Sequence, residues 1–487
     1  MNQNLLYKTI FSFCFIIAMG LTLNAQSYTG PAGGNWNVPG NWSSGNVPTS
    51  MTDASIGSGD SVVVTTAEFA REINVSGSGV ITILNGGSLT VNNDNPVCGG
   101  GCGGDAIDLS GGGTIRNFGT LTINDADDDC IDMRNSSRIY NDGIINMNDS
   151  DDEGFDMFNS SMVVNNMSGV INIKDVNNDG IEMEDNSQFY NYGTIDIKDI
   201  GNAAIDIDNS GTDFNNYASG TINVKRSSNE GLEVDDGWFR NYGDIGISYI
   251  NGSGDGIEIL SGADFHNMVN ATITIDSIGD EGIDNDSRMV NDGTVKIFGG
   301  RDGGDDGVDV GSNDRFTNNG YLQIEEILSG EGLDIFGRFI NDSLVNISMS
   351  DMNSGEAIEV FGRLDNSNCG IINVLTPNEI EVNNNDNLFN NGIITTFYDG
   401  VNSNDGTIVN NGYILTIQGI NTFTTSPNPV TGGGAIATYN IPLYRAICDG
   451  FVIPTLGQWG LIVLLILLLI GGTSILKYQR KSGRSMG

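Results

Sequence analysis

Between residues 80 and 420 apolar and polar side chains alternate in short bursts rather than in a long amphipathic wave. One burst reads Ile181-Glu182-Met183, the next Phe189-Tyr190-Asn191, the next Thr194-Ile195-Asp196-Ile197, and a polar loop follows. Period-two alternation puts every second side chain on one face, as in strands laid on a core. Gly, Asn and Asp separate the bursts and supply turn chemistry. No stretch of the array carries a 3.6-residue apolar pattern over ten or more residues, so helices are not expected there.

The bursts recur as a unit. The first apolar residue of the phrase Asp179-Gly180-Ile181-Glu182-Met183 returns at Ile107, Ile131, Phe155, Ile181, Ile205, Leu232, Ile257, Ile283, Val308, Leu333, Ile358 and Ile380, in steps of 22–27 residues. Such a period marks a solenoid. Three strands and three turns in about 25 residues predict one rung of a parallel β-helix. The expected fold is therefore all-β, a right-handed parallel β-helix of about 12–13 rungs, roughly 60 Å long at one strand spacing per rung. A leucine-rich repeat would need Leu-x-x-Leu-x-Leu spacing, which is absent. A second column supports the register: Asn stands two residues after the inward apolar of the middle strand, at Asn117, Asn141, Asn165, Asn191, Asn216, Asn241, Asn267, Asn291, Asn318, Asn341, Asn366, Asn390 and Asn410. Stacked amides can satisfy one another from rung to rung, so this column is read as structural.

The acidic positions keep the same period. The residue after each central apolar is Asp or Glu in all twelve rungs, and the residue two before it is acidic in ten. Alternation sends the first set outward; the second usually precedes a Gly and is expected in a turn, near solvent. Two unit charges one rung apart repel by about 0.9 kcal/mol in water, so a whole column costs enough to invite counter-ions. The candidate Ca²⁺ ligands are the pairs Asp129/Asp132, Glu153/Asp156, Asp179/Glu182, Glu230/Glu233, Asp255/Glu258, Asp306/Asp309 and Glu331/Asp334. Duplication of a single acidic residue is the plainer explanation of the same pattern. The segment Gly303-Gly304-Asp305-Asp306-Gly307-Val308-Asp309 resembles Ca²⁺-binding nonapeptide repeats, although the period here is longer.

Composition narrows the function classes. Sixty-two acidic residues against twenty-one basic ones give a formal charge of −41, which argues against nucleic acid as a partner. The single His266, at an outward strand position, lacks companions for a zinc site. Cys98 and Cys102 are placed to close a small disulfide loop in an oxidising compartment. Lys225-Arg226 interrupt the acidity and are the best candidate for an anionic contact. Parallel β-helices also serve as polysaccharide lyases and glycoside hydrolases, which need a cleft walled by long insertions; steps of 22–27 residues leave no room for one. The exported region is therefore read as non-catalytic, with a lyase or hydrolase as the alternative.

The flanks carry addresses. Residues 1–25 have the pattern of a secretory signal peptide, with Lys8, the apolar run Thr9–Leu23 and a Leu23-Asn24-Ala25 cleavage site. Residues 26–95, with Asn35-Trp36-Asn37 and Asn41-Trp42-Ser43, resemble the opening segment of bacterial surface β-helices and are expected to form a cap and the first rungs, ahead of repeats over 96–420. Residues 421–452 read as linker. At 453–487 stand Ile453, Pro454, Thr455 and Leu456, then Trp459 and Gly460, an apolar span over 460–476 long enough to cross a membrane, and a basic tail with Lys477, Arg480, Lys481 and Arg484. Over 453–484 this arrangement resembles the IPTL-CTERM protein-sorting domain, whose members often carry Ser where this chain has Gly457. The resemblance implies a bacterial envelope protein handled by a membrane-embedded exosortase-type sorting enzyme and anchored by one membrane pass before any cleavage. The expectation for the whole is an exported, acidic surface rod acting in adhesion or extracellular matrix, with Ca²⁺, glycans or the cell envelope as partners.

Overall fold

A computed structural model of the chain describes residues 25–93, 104–299, 306–349, 355–383, 386–396, 401–404, 406–416, 425–426 and 435–438. The predicted signal peptide (save Ala25), the Cys98/Cys102 loop, Asp305 and the sorting segment 453–487 lie outside the described residues. Among those described, no helix is long and apolar enough to cross a membrane, and the predicted span at 460–476 is not among them.

Short alternating strands without helix-forming runs have one way to bury their apolar faces, which is to stack on their own copies. The chain winds into a parallel β-solenoid of about 14 turns with a period near 25 residues. The described strands form three parallel sheets of 17, 16 and 16 strands. In the representative turn, Ile181–Met183 lies in the first sheet, Gln188–Asn191 in the second and Thr194–Ile200 in the third. Each pairs one period on: Ile181 with Ile205, Phe189 with Phe214, Ile195 with Thr221's neighbour Ile222. Three-stranded rungs begin at Ala54–Ile56, well before Val80, so the coil has more turns than the 12–13 expected.

The core is a bundle of ladders. Ile131, Phe155, Ile181 and Ile205 are fully buried in one column. Phe189, Phe214, Phe239 and Phe265 form another, their rings parallel and 4.8–4.9 Å apart. Offset stacking of this kind adds to the burial of each ring. The N-terminal end is closed by Tyr28, Trp36 and Trp42, with Trp42 Nε1 donating to the Trp36 carbonyl at 2.7 Å. These rings cover the apolar core at the end where no further rung stacks.

At the corner between second and third sheets the Asn column is continuous and buried. Asn191 Nδ2 donates to Asn216 Oδ1 at 2.8 Å, while Asn191 Oδ1 accepts from Asn165 Nδ2 at 2.8 Å and from the Gly193 amide at 3.2 Å. The same link repeats from Asn117 to Asn410. Near the end of the long third-sheet strands one residue lies in the left-handed region in successive rungs: Asp125, Asp149, Asp175, Asp199 and Arg226, at φ 54–66°. Asp and Asn tolerate that region better than branched residues do.

Candidate cation site: the acidic columns of the first sheet

The pairing of the first sheet turns the acidic positions into straight lines. Asp132 stands opposite Asp156, Asp156 opposite Glu182, Glu182 opposite Asp206, and Asp206 opposite Glu233. Further on, Glu233 meets Glu258, Asp309 meets Asp334, and Asp334 meets Glu359. This outer column is half-buried for most of its length, and Asp132 and Asp334 are buried outright.

The inner column departs from expectation. Asp129, Glu153, Asp179, Glu230, Asp255 and Asp306 were expected in a turn near solvent, yet each is only 3–7% exposed. The cause is the small residue that follows. A Cβ on Gly180 would lie 2.5 Å from the Ala204 carbonyl oxygen, and one on Gly256 would lie 2.5 Å from that of Gly282. Successive rungs are therefore packed backbone on backbone at this point, and the preceding carboxylate is drawn in under its neighbour. Four Asp residues of the column do structural work. Asp129 Oδ1 accepts the Glu153 amide at 3.0 Å, Asp179 Oδ1 that of Ala203 at 2.8 Å, Asp255 Oδ1 that of Glu281 at 2.8 Å, and Asp306 Oδ1 that of Glu331 at 2.6 Å. These amides would otherwise be orphaned in the interior.

The two columns converge. Oxygen atoms of Asp105, Asp129 and Asp132 lie within 4.8 Å of one another, as do those of Asp179, Glu182 and Asp206, and those of Glu230, Glu233 and Glu258. Asp128/Asp129/Asp152 and Glu182/Glu184/Asp208 form comparable groups. Of the sequence candidates, Asp156 is crowded by Asp132 and Glu153, Asp309 by Asp306, and Glu258 by Glu230. Asp255 shares a carboxyl–carboxyl hydrogen bond with Glu281, and Glu331 one with Asp306; each such bond requires a proton. Sequence reasoning left Asp105, Asp206 and Glu281 off the ligand list although they keep the period. It also missed Glu184 and Asp208, one outward position further along the strand, where an acidic residue recurs in only some rungs.

Burial dominates the electrostatics. Desolvation first, then neighbouring carboxylates, push Glu182 and Glu233 up to about 8, Asp206 to about 9, and Asp156, Glu258 and Asp334 to about 7. Asp129 and Asp255 are raised strongly, by burial and by the hydrogen bonds they share with Glu153 and Glu281. Several of these oxygens meet no donor: Asp206 Oδ1, Glu230 Oε2, Asp309 Oδ1 and Asp334 Oδ1 are buried without a hydrogen-bond partner. One rung shows what a cation does here. Arg134 Nε donates to Asp132 Oδ1 at 2.7 Å, and the same register position holds Phe158, Glu184, Asp208 and Asp235 in the next four rungs.

The rival candidates are accounted for locally. His266 Nε2 is 2.7 Å from Asp292 Oδ2 on the outer face of the second sheet. Arg226 binds Asp199, and the Lys225 ammonium lies 5.5 Å from the Tyr249 ring centre. Cys130 is a buried free thiol and Cys369 an exposed one. No family model matches this chain, and no curated protein matches it either.

Proposed function

We propose that the chain is an exported, non-catalytic surface protein whose acidic coil takes up divalent cations between rungs and acts in adhesion or extracellular matrix. The observation that carries this reading is the pair of in-register carboxylate columns with buried, donorless oxygens such as Glu230 Oε2. A carboxylate in that state is stabilised by a proton or by a metal ion. Ca²⁺ is the cation of choice: it is hard, takes six to eight oxygens at flexible geometry, and a rung pair offers carboxylates at a range of spacings, whereas Mg²⁺ requires a near-ideal octahedron. Glu230, Glu233 and Glu258 would hold it in the middle of the coil, Asp179, Glu182 and Asp206 two rungs earlier. Cation loading would tie neighbouring rungs together and stiffen a surface structure in calcium-rich surroundings.

On this proposal residues 453–484 deliver the coil to the envelope through an exosortase-type enzyme, with one membrane pass at 460–476 before any cleavage. Isothermal titration of the full-length chain with Ca²⁺, in parallel with thermal melting, tests the central claim. Binding with a Tm that rises with Ca²⁺ and falls with chelator is expected; no heat and no shift would dismiss it.

A polysaccharide lyase or glycoside hydrolase is the second reading, favoured by the close carboxyl pairs Asp129/Glu153 and Asp255/Glu281. Release of reducing ends from acidic or neutral glycans, lost on replacing one carboxylate, would establish it in place of the first.

A further inference from the structure

One column runs against the charge of the whole. Arg288, Arg315, Arg338 and Arg363 occupy the first position of successive strands in the second sheet, each paired in register with the next. All four are exposed. Among the described residues two carboxylates answer them: Asp264 lies 3.3 Å from Arg288, and Asp365 lies 2.6 Å from Arg338 and 2.8 Å from Arg363. Arg315 turns to the Thr317 hydroxyl at 3.0 Å. Beside the stripe, Phe336 and Phe361 are stacked 4.8 Å apart and remain 42% and 38% exposed. Exposed aromatic rings next to arginine are the composition of interface centres, not of a solvated face. Like charges held one rung apart also repel, so the stripe calls for an anionic partner with the same spacing.

The chain itself contains that spacing. Near the ends of the third-sheet strands, Asp125, Asp149, Asp175 and Asp199 follow one another rung by rung, the first three exposed; Lys174 pairs with Asp175 and Lys198 lies 3.3 Å from Asp199, so the first two rungs carry the row's strongest negative charge. Asp125, Asp149 and Asp175 line an open cleft of about 590 Å³ together with Asn124, Asn148 and Met51, and Met51 is 62% exposed. The next residue of this column is Arg226, which reaches back one rung to bind Asp199 through both Nε and Nη2. The molecule thus displays, within itself, an arginine seated against this aspartate row.

We propose that the Arg288–Arg363 stripe, with Phe336 and Phe361, docks against the Asp125–Asp199 row of a second copy, rung matched to rung. The two surfaces lie on different rungs of one chain, so the contact is heterologous and leaves a free stripe and a free cleft on every pair. Assembly then continues as staggered side-by-side arrays. Elsewhere the acidic surface repels a neighbour, which selects this register over others. Each exposed ion pair is weak on its own and is screened by salt; matched rows act together. This contact does not rest on cation binding between rungs.

The test is sedimentation velocity of the full-length chain in detergent micelles. A series of species larger than the monomer is expected at low ionic strength, with the apparent dissociation constant rising about tenfold or more on going from ~50 to ~500 mM NaCl. The variants R315E/R338E and D149R/D175R should each lose self-association while keeping the circular dichroism and melting curve of the parent. Arginine in the aspartate column is tolerated, since Arg226 already adopts φ 63° there. Mixing the two variants brings a parental stripe to a parental cleft and should restore one-to-one complexes. Unchanged association of either variant, or no complex in the mixture, overturns the proposal. So does a parent that stays monomeric at every salt concentration but is retained by a sulfated or carboxylated polysaccharide through Arg315 and Arg338, which would make the partner a polyanion instead.

Discussion

Asn285 stands in the first-sheet core, fully buried, with neither its amide nitrogen nor its oxygen hydrogen-bonded. Its column neighbours are Ile259 and Val310. An unsatisfied buried amide costs on the order of 1–3 kcal/mol, so Asn285→Val should raise the Tm, measured by calorimetry, with no change in the far-ultraviolet spectrum. Asn191 is the opposite case. It donates to Asn216 and accepts from Asn165 and the Gly193 amide. Asn191→Ala strands those partners together and should destabilise by about 2–3 kcal/mol in a denaturant titration. Same residue type, opposite sign: what differs is whether the rungs on either side continue the ladder. The Asn ladder was legible in the sequence because it repeats without exception from Asn117 to Asn410; the orphaned Asn285 was not, since one polar residue at an apolar position breaks no visible rule.

Within a strand and its corner, the small residue before the central apolar sets how closely rungs approach. Ala106, Cys130 and Ala204 share that column with Gly180, Gly256 and Gly282, so a methyl group is accommodated by a local adjustment. At Gly256 the Cβ of any substituent would press on the Gly282 carbonyl and on Ile275 Cγ2, both at 2.5 Å, so a methyl group requires the backbone to shift and a branched side chain requires more. Gly256→Ala should cost about 1 kcal/mol or more, and Gly256→Val, with two further methyl groups, at least about 2 kcal/mol by the same titration. The sequence showed these glycines as turn residues. They proved to be contact residues, and that reversal explains why the inner carboxylates Glu153, Asp179 and Asp255 are buried.

For the whole molecule, the crowded carboxylates link stability to pH. Glu182, Asp206 and Glu233 sit at about 8, 9 and 8 when folded against values near 4 when unfolded. Across that window the folded chain holds more protons than the unfolded one, so stability falls as pH rises from about 4 through about 9. Metal-free protein should melt higher at pH 5 than at pH 8, read by circular dichroism. Ca²⁺ displaces those protons, so saturating Ca²⁺ should flatten the slope, and its addition to unbuffered protein at pH 7 should release protons detectable by pH-stat. Because each rung touches only its neighbours, the loss should spread along the coil from wherever the columns are most crowded.

The alternation of apolar residues, their 25-residue return and the unbroken Asn column by themselves determined the three-sheet coil and its register. A period fixes which residues repeat, and stacking on identical neighbours is the one arrangement that buries every repeat. Only the tertiary structure decided how deep each acidic column lies, which carboxylates share a proton and which amides they serve. It also decided that Arg288, Arg315, Arg338 and Arg363 form a single stripe. Depth and pairing depend on the corner geometry that brings one rung's backbone onto the next, and spacing along a chain carries no record of distance across it.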